Sequence, residues 1–168
     1  LKWIGYGYPN PEISSFCTDQ RVTLVGYGEL PNGMQSEFNF PLPSCLISKA
    51  VSKRLTITLA WLSPIASCNQ DYRLAKLSFR TKSSLIAKDI SDSDERAAKR
   101  GTVQHEVFVG KQASTYLSGT NLEIVVSCKK EDRLTYPVKY VLMATLEVSP
   151  EVSLPIYEEI KSSLAQQV

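Results

Sequence analysis

Histidine is nearly absent from this chain: one, His105, among 168 residues. That scarcity alone removes most His-based metal sites, since zinc centres draw their ligands from clustered His and Cys. Four cysteines are present (Cys17, Cys45, Cys68 and Cys128), and none are spaced as Cys-x-x-Cys. Wide, irregular spacing of this kind reads as small, mostly buried thiols, although two disulfides in three connectivities remain arithmetically open. Charge of one sign is also lacking. The 19 basic and 17 acidic residues are interspersed and leave a net charge of +2. Without a polybasic stripe, neither nucleic acid nor an anionic membrane surface has electrostatic support as a partner. No apolar run reaches the roughly 18–20 residues needed to span a bilayer as a helix. Repeats and low-complexity segments are missing as well.

What is present is period-2 alternation. In Lys53–Pro64 the residues Leu55, Ile57, Leu59 and Trp61 alternate with Thr56, Thr58 and Ala60, the pattern of a strand with one buried face. Trp61 shares that face and is expected in the core rather than on a ligand platform. Arg21–Gly28 alternates similarly, and Leu30-Pro31-Asn32-Gly33 supplies hairpin-turn chemistry, so Ser36–Leu42 is expected as the return strand. Tyr72–Arg80, Thr102–Val109, Asn121–Cys128 and Tyr136–Val148 continue the series. In Thr102–Val109, the side carrying Val103, His105, Val107 and Val109 is expected to be half-buried, with His105 satisfied by hydrogen bonds.

Helices are few. Ser91–Gly101 has acids at its start, bases at its end and glycine at the C′ position, all favourable to the macrodipole. A second helix closes the chain, with Pro155 in its first turn, Glu158 and Glu159 near its N-terminus, and Ile156, Tyr157, Ile160 and Leu164 at helical spacing. About seven short strands with turn signals and little helix predict a mainly β protein. The expected architecture is an antiparallel β-sandwich of jelly-roll or Greek-key type, with a short mid-chain helix and a C-terminal helix. Residues 20–149 form the sandwich, 150–168 a helix packed on it, and 1–19 a connecting segment rich in aromatics.

Catalytic constellations are hard to assemble. A Ser-His-Asp triad needs His105 as base, yet no Gly-x-Ser-x-Gly elbow or Gly-Thr-Ser-x-Ala run accompanies it. A Cys-His nucleophile requires a cysteine within about 4 Å of His105. Gly5-Tyr6-Gly7 and Gly26-Tyr27-Gly28 lack the further glycine of a dinucleotide loop and read as strand ends or close-packing sites. Asp92, Asp94 and Glu95 lack the calcium-loop spacing and suit a helix N-terminus. No cofactor is expected.

Several segments resemble one family. The run from Lys53 into Trp61-Leu62-Ser63-Pro64 resembles the core strand of the β-sandwich that follows the catalytic domain in some subtilisin-like (S8-type) serine peptidases. Gly5-Tyr6-Gly7-Tyr8-Pro9 resembles the stretch just after the last helices of such a catalytic domain. Arg21–Gly26, Arg54–Pro64, Arg100–Glu106 and Leu154–Ile160 resemble the C-terminal region of a bacterial branch of these peptidases. The resemblance implies that the catalytic Asp, His and Ser lie upstream, so no site residue is carried over. It implies a segment of a longer peptidase, with Trp3, Tyr6 and Tyr8 as interdomain contacts to the upstream domain. The opening at Leu1 rather than Met agrees with that expectation. A partner AAA-type ATPase is implied for some members, and a cytoplasmic setting is the favoured location. The expected role is a non-catalytic accessory domain that stabilises the catalytic domain and docks substrate or partner. The alternatives are a free-standing carbohydrate- or ligand-binding module, marked by exposed coplanar aromatics, and a Cys-dependent hydrolase.

Overall fold

The computed structural model describes residues 16–46, 51–62, 75–81, 103–132, 134–151 and 154–166. The expected helix at 91–101 and residues 1–15 of the expected connecting segment at 1–19 lie outside these residues. Seven strands are described: β1 (Arg21–Leu30), β2 (Gln35–Pro41), β3 (Lys53–Trp61), β4 (Leu77–Thr81), β5 (Val103–Val109), β6 (Asn121–Cys128) and β7 (Val138–Val148). Two helices, α1 (Lys111–Tyr116) and α2 (Ile156–Ala165), and a 3₁₀ turn at Ser44–Leu46 accompany them. The chain is mainly β, and its strands form two antiparallel sheets ordered β1-β7-β3-β5 and β2-β6-β4.

Consecutive strands never pair within a sheet: the odd-numbered ones build the four-stranded sheet and the even-numbered ones the other. Among the described strands, successive ones therefore alternate between the two sheets, as in a jelly roll. This corrects the expected hairpin. β1 pairs with β7 and β2 with β6, so the Asn32-Gly33 turn joins strands of opposite sheets. Gly33 supplies the positive φ of 76° that the turn needs, and Met34 N–H closes it onto the Pro31 carbonyl at 3.1 Å. Asn32 is spent elsewhere. Its Nδ2 donates to the carbonyls of Glu131 (2.6 Å) and Leu134 (3.0 Å), and its Oδ1 accepts from the Glu131 N–H at 2.9 Å. One side chain thus ties the β1–β2 crossing to the β6–β7 crossing.

Between the sheets lies the core. β3 buries its whole inner row, Lys53, Leu55, Ile57, Leu59 and Trp61. Burying an aliphatic side chain of this size contributes about 1.5–3 kcal/mol each. Trp61 is 5% exposed, and its indole N–H donates to the Ala75 carbonyl at 3.0 Å, so the ring is a core residue with its one polar atom satisfied. Where β1 lies over β2 the sheets approach closely. A Cβ built on Gly26 would stand 2.4 Å from Cε1 of Phe38, so the expected close-packing role holds there.

α1 has no counterpart in the expectations. Lys-Gln-Ala-Ser-Thr-Tyr opens with three good helix formers, but so short a helix is not stable by itself and rests on tertiary burial of Ala113 with Leu117 just beyond it. Gly110, at φ 61°, turns the chain out of β5 and donates to the Lys53 carbonyl at 2.9 Å. α2 matches its expectation more closely. Ile156 and Ile160 are buried against the sandwich, while Leu164 is 37% exposed.

Candidate functional site

The residues able to carry chemistry are spread over the fold. Trp3, Tyr6, Tyr8 and Cys68 lie outside the described residues. His105 stands on the outer, solvent side of the four-stranded sheet, where Nδ1 and Thr58 Oγ1 are hydrogen-bonded at 2.8 Å. This corrects the expected half-buried face. Phe108, at the opposite parity of β5, is the residue that points into the core, and the valines sharing His105's side face outward. The positions of the other parity are Gln104, Glu106 and Phe108, so the alternation by itself favours the valine side as the interior, and here a single large aromatic outweighs three valines.

Cys17 and Cys128 are free thiols. Cys128 is buried on the inner side of the three-stranded sheet, with the other sheet between it and His105, and burial raises its pKa. Cys17 lies against Thr23 of β1, the opposite edge strand from β5 and roughly 14 Å across the sheet. Cys45 belongs to the 3₁₀ turn. None of these positions forms the Cys-His pair that a cysteine hydrolase requires. Among the described residues no group of three His, Cys, Asp or Glu side chains converges on a metal position. No helix among them is long and apolar enough to cross a membrane.

A compact polar cluster pins α2 to the β2–β3 connection. The Glu159 carboxylate accepts from Ser44 Oγ at 3.0 Å and from the Cys45 N–H at 3.4 Å. Burial pushes the Glu159 pKa up, but the hydrogen bonds from Ser44 and Cys45 outweigh it and hold the carboxyl below its ordinary range. Beside it Lys53, only 6% exposed, donates from Nζ to the Leu46 carbonyl at 2.6 Å. Burial lowers the Lys53 pKa, and the nearby Cys45 sulfur pulls it part of the way back. An open groove of about 400 Å³ runs along this face of α2 between Leu42, Ser44, Glu158, Glu159, Ser162 and Ser163. Its carboxylates and hydroxyls have no histidine or activated nucleophile among them. A second void, about 20 Å³ and lined only by apolar side chains such as Phe40, Leu55 and Ile160, holds no polar group to orient a ligand or a water.

Among the described residues, the outer side of the four-stranded sheet is held out to solvent. Strand register places Tyr27, Val141, Ala60 and Val103 in one row and Val25, Met143, Thr58 and His105 in the next. Thr23, Thr145, Thr56 and Val107 make a third row, in which the hydroxyls of Thr23 and Thr145 bond each other at 3.0 Å. Tyr27 is 82% exposed and Val25 57%. The outer side of the other sheet differs. It carries Glu37, Asn39, Glu123 and Arg80 around one buried valine, Val125. Sequence reading missed the apolar outer face, because it assigned the valines of β5 to the interior.

Among the described residues the exposed aromatics do not gather into a platform. Phe16, Tyr27 and Tyr136 sit on three separate segments, and the cross-strand neighbour of Tyr27 is Val141.

No protein-family profile matches the chain, and no solved structure matches it. One curated protein does: "Uncharacterized protein y4bN" of Sinorhizobium fredii (strain NBRC 101917 / NGR234), 30% identical over 76 residues. The match covers 45% of this chain and 18% of that protein. The similarity is thus confined to under a fifth of a considerably longer polypeptide.

Proposed function

We propose that this chain is a non-catalytic β-sandwich accessory domain of a subtilisin-like serine peptidase, stabilising the catalytic domain and docking substrate or partner. The observation that carries the reading is the placement of its only histidine. His105 lies on an open strand surface with Thr58 as hydrogen-bond partner, while the groove along α2 is lined without a base. A catalytic site needs nucleophile, base and a water-shielded cleft together. This fold instead offers surface. The sequence resemblance to the region downstream of an S8-type catalytic domain supplies the peptidase, and the AAA-type ATPase enters as a candidate partner on the same ground. Similarity to a small part of a longer protein agrees with a module of a larger polypeptide.

The test is removal of this domain from the full polypeptide, followed by thermal unfolding and by hydrolysis of an unfolded protein substrate. Loss of stability, substrate hydrolysis or ATPase association supports the reading. A truncated protein with unchanged stability, substrate choice and partner binding overturns it.

A further inference from the structure

The outer face of the four-stranded sheet has a symmetry that its composition alone does not reveal. Its middle row is Val25, Met143, Thr58 and His105, flanked by an apolar row (Tyr27, Val141, Ala60, Val103) on one side and by a threonine-rich row (Thr23, Thr145, Thr56, Val107) on the other. Beyond them the two ends are charged. At one end Glu147 lies between Arg21 (3.6 Å) and Arg54 (3.7 Å); at the other Lys139 pairs with Glu29 at 3.4 Å. Within each of the two strands β1 and β7, the charge at one end is opposite to the charge at the other. β1 runs from Arg21 to Glu29, and β7 from Lys139 to Glu147.

We propose that this face binds a second copy of the same chain, sheet against sheet, about a two-fold axis that crosses the strands at the Val25–Met143–Thr58–His105 row. Such an axis lays each strand over its own copy reversed end for end. Arg21 then meets Glu29 of the other copy and Glu147 meets Lys139, each contact occurring twice, as an isologous interface requires. Thr23 faces Tyr27, Thr145 faces Val141, and Val107 faces Val103. Arg54 lays its aliphatic stem over Leu62, which is 66% exposed beside Lys139. The other in-plane axis, parallel to the strands, would match Glu147 with Arg54 but seat Arg21 on Val109 and Lys139 on Leu62, leaving half of the charged contacts without a partner across the interface. Charge complementarity therefore selects both the occupant and the orientation.

The size of the face sets the strength. Four strands spaced about 4.8 Å and rows extending over eight residues give a patch of roughly 20 by 26 Å, about 500 Å² in projection. Two such patches together bury an area at the low end for specific complexes, where reversible association is the rule. Face-to-face sheets pack about 10 Å apart with strand directions within about 30°, close enough for end charges to meet. The proposal goes beyond the accessory-domain reading and does not depend on it. The polar face of the other sheet and the α2 groove stay open for the remainder of a longer polypeptide.

Sedimentation equilibrium of the 168-residue chain tests it, with circular dichroism to verify folding of each variant. The wild-type chain is expected to associate to twice its mass, more tightly at low salt than at high. Val25→Lys and Met143→Lys, at the axis, are each expected to weaken association at least about tenfold. The discriminating arm uses charge reversal. Arg21→Glu and Glu29→Arg each place like charges together in a homodimer, yet an equimolar mixture restores both pairs across the heterodimer. Each variant alone should dissociate and the mixture should reassociate, whatever either substitution does within its own sheet. Three results overturn the proposal: a wild-type chain monomeric at every concentration reached, association indifferent to folded Val25→Lys and Met143→Lys, or dissociating charge variants that stay apart on mixing.

Discussion

Replacing Gly26 by alanine adds one methyl group at the point where the two sheets come closest. The new Cβ would lie 2.4 Å from Phe38 Cε1, 2.6 Å from Cδ1 and 3.2 Å from Cζ. Carbon atoms in contact normally stand about 3.5–4.0 Å apart, so ring and strand must separate by more than about 1 Å. Neither yields easily. β1 is held to β7 along its length by antiparallel pairing, from Arg21↔Glu147 to Leu30↔Val138. The Phe38 ring is stacked near Phe40 at 6.1 Å and meets Tyr140 edge-on at 6.1 Å. Overpacking of this kind costs about 1–3 kcal/mol. Alanine returns about 0.4–1 kcal/mol by reducing the freedom of the unfolded chain. The net expectation is about 1–2 kcal/mol of destabilisation, equivalent to about 2–8 °C in Tm for a chain of this size. Urea unfolding followed by Trp61 fluorescence reads it directly. Phe38→Leu removes the opposing ring, so Gly26→Ala should cost at least about 1 kcal/mol less in that background. A Gly26→Ala protein as stable as wild type, or additive costs in the double variant, would refute the close-approach argument.

Three further outcomes follow from the polar contacts. Asn32→Ala removes three hydrogen bonds joining the β1–β2 and β6–β7 crossings and should cost about 2 kcal/mol in urea unfolding. Glu159→Gln removes an acid whose folded pKa is depressed. Its stabilisation is present above the unfolded carboxyl pKa near about 4.3 and is lost as pH falls through the folded value. The wild-type advantage over this variant should therefore shrink on acidification, measured as the difference between their pH–stability curves. Lys53→Met removes a buried ammonium whose folded pKa is lowered. The unfolded state binds the extra proton between that value and about 10.4, so this group raises wild-type stability as pH climbs through the window. The variant should lack that rise, and the difference curve cancels the opposing contribution of Cys128, common to both proteins.

Much of the strand inventory was legible because a half-buried strand must alternate. β3, β6 and β7 lie where Leu55–Trp61, Leu122–Cys128 and Val138–Val148 place apolar side chains at every second position. Trp61 was legible as core from its company on one face. α2 was legible from Ile156 and Ile160 at helical spacing and from the acids in its first turn. α1 was not, because so short a helix draws its stability from burying Ala113 and Leu117 beneath the sheet. Of the candidate surface, the valines of β5 were legible as one row but were assigned to the wrong side.

Local pattern, then, determines which segments of this chain are strands, which helix closes it, and which chemistry its composition lacks. Only the tertiary structure decides partnership. Asn32-Gly33 dictates a tight turn, yet whether that turn returns within a sheet or crosses to the other depends on β7 and β6 being better partners for β1 and β2. Those choices involve residues at least 80 positions apart. The same pairing lines up Tyr27, Val141, Ala60 and Val103 in one exposed row. Inside and outside have the same period of two, and it is the second sheet, by covering one face, that tells them apart.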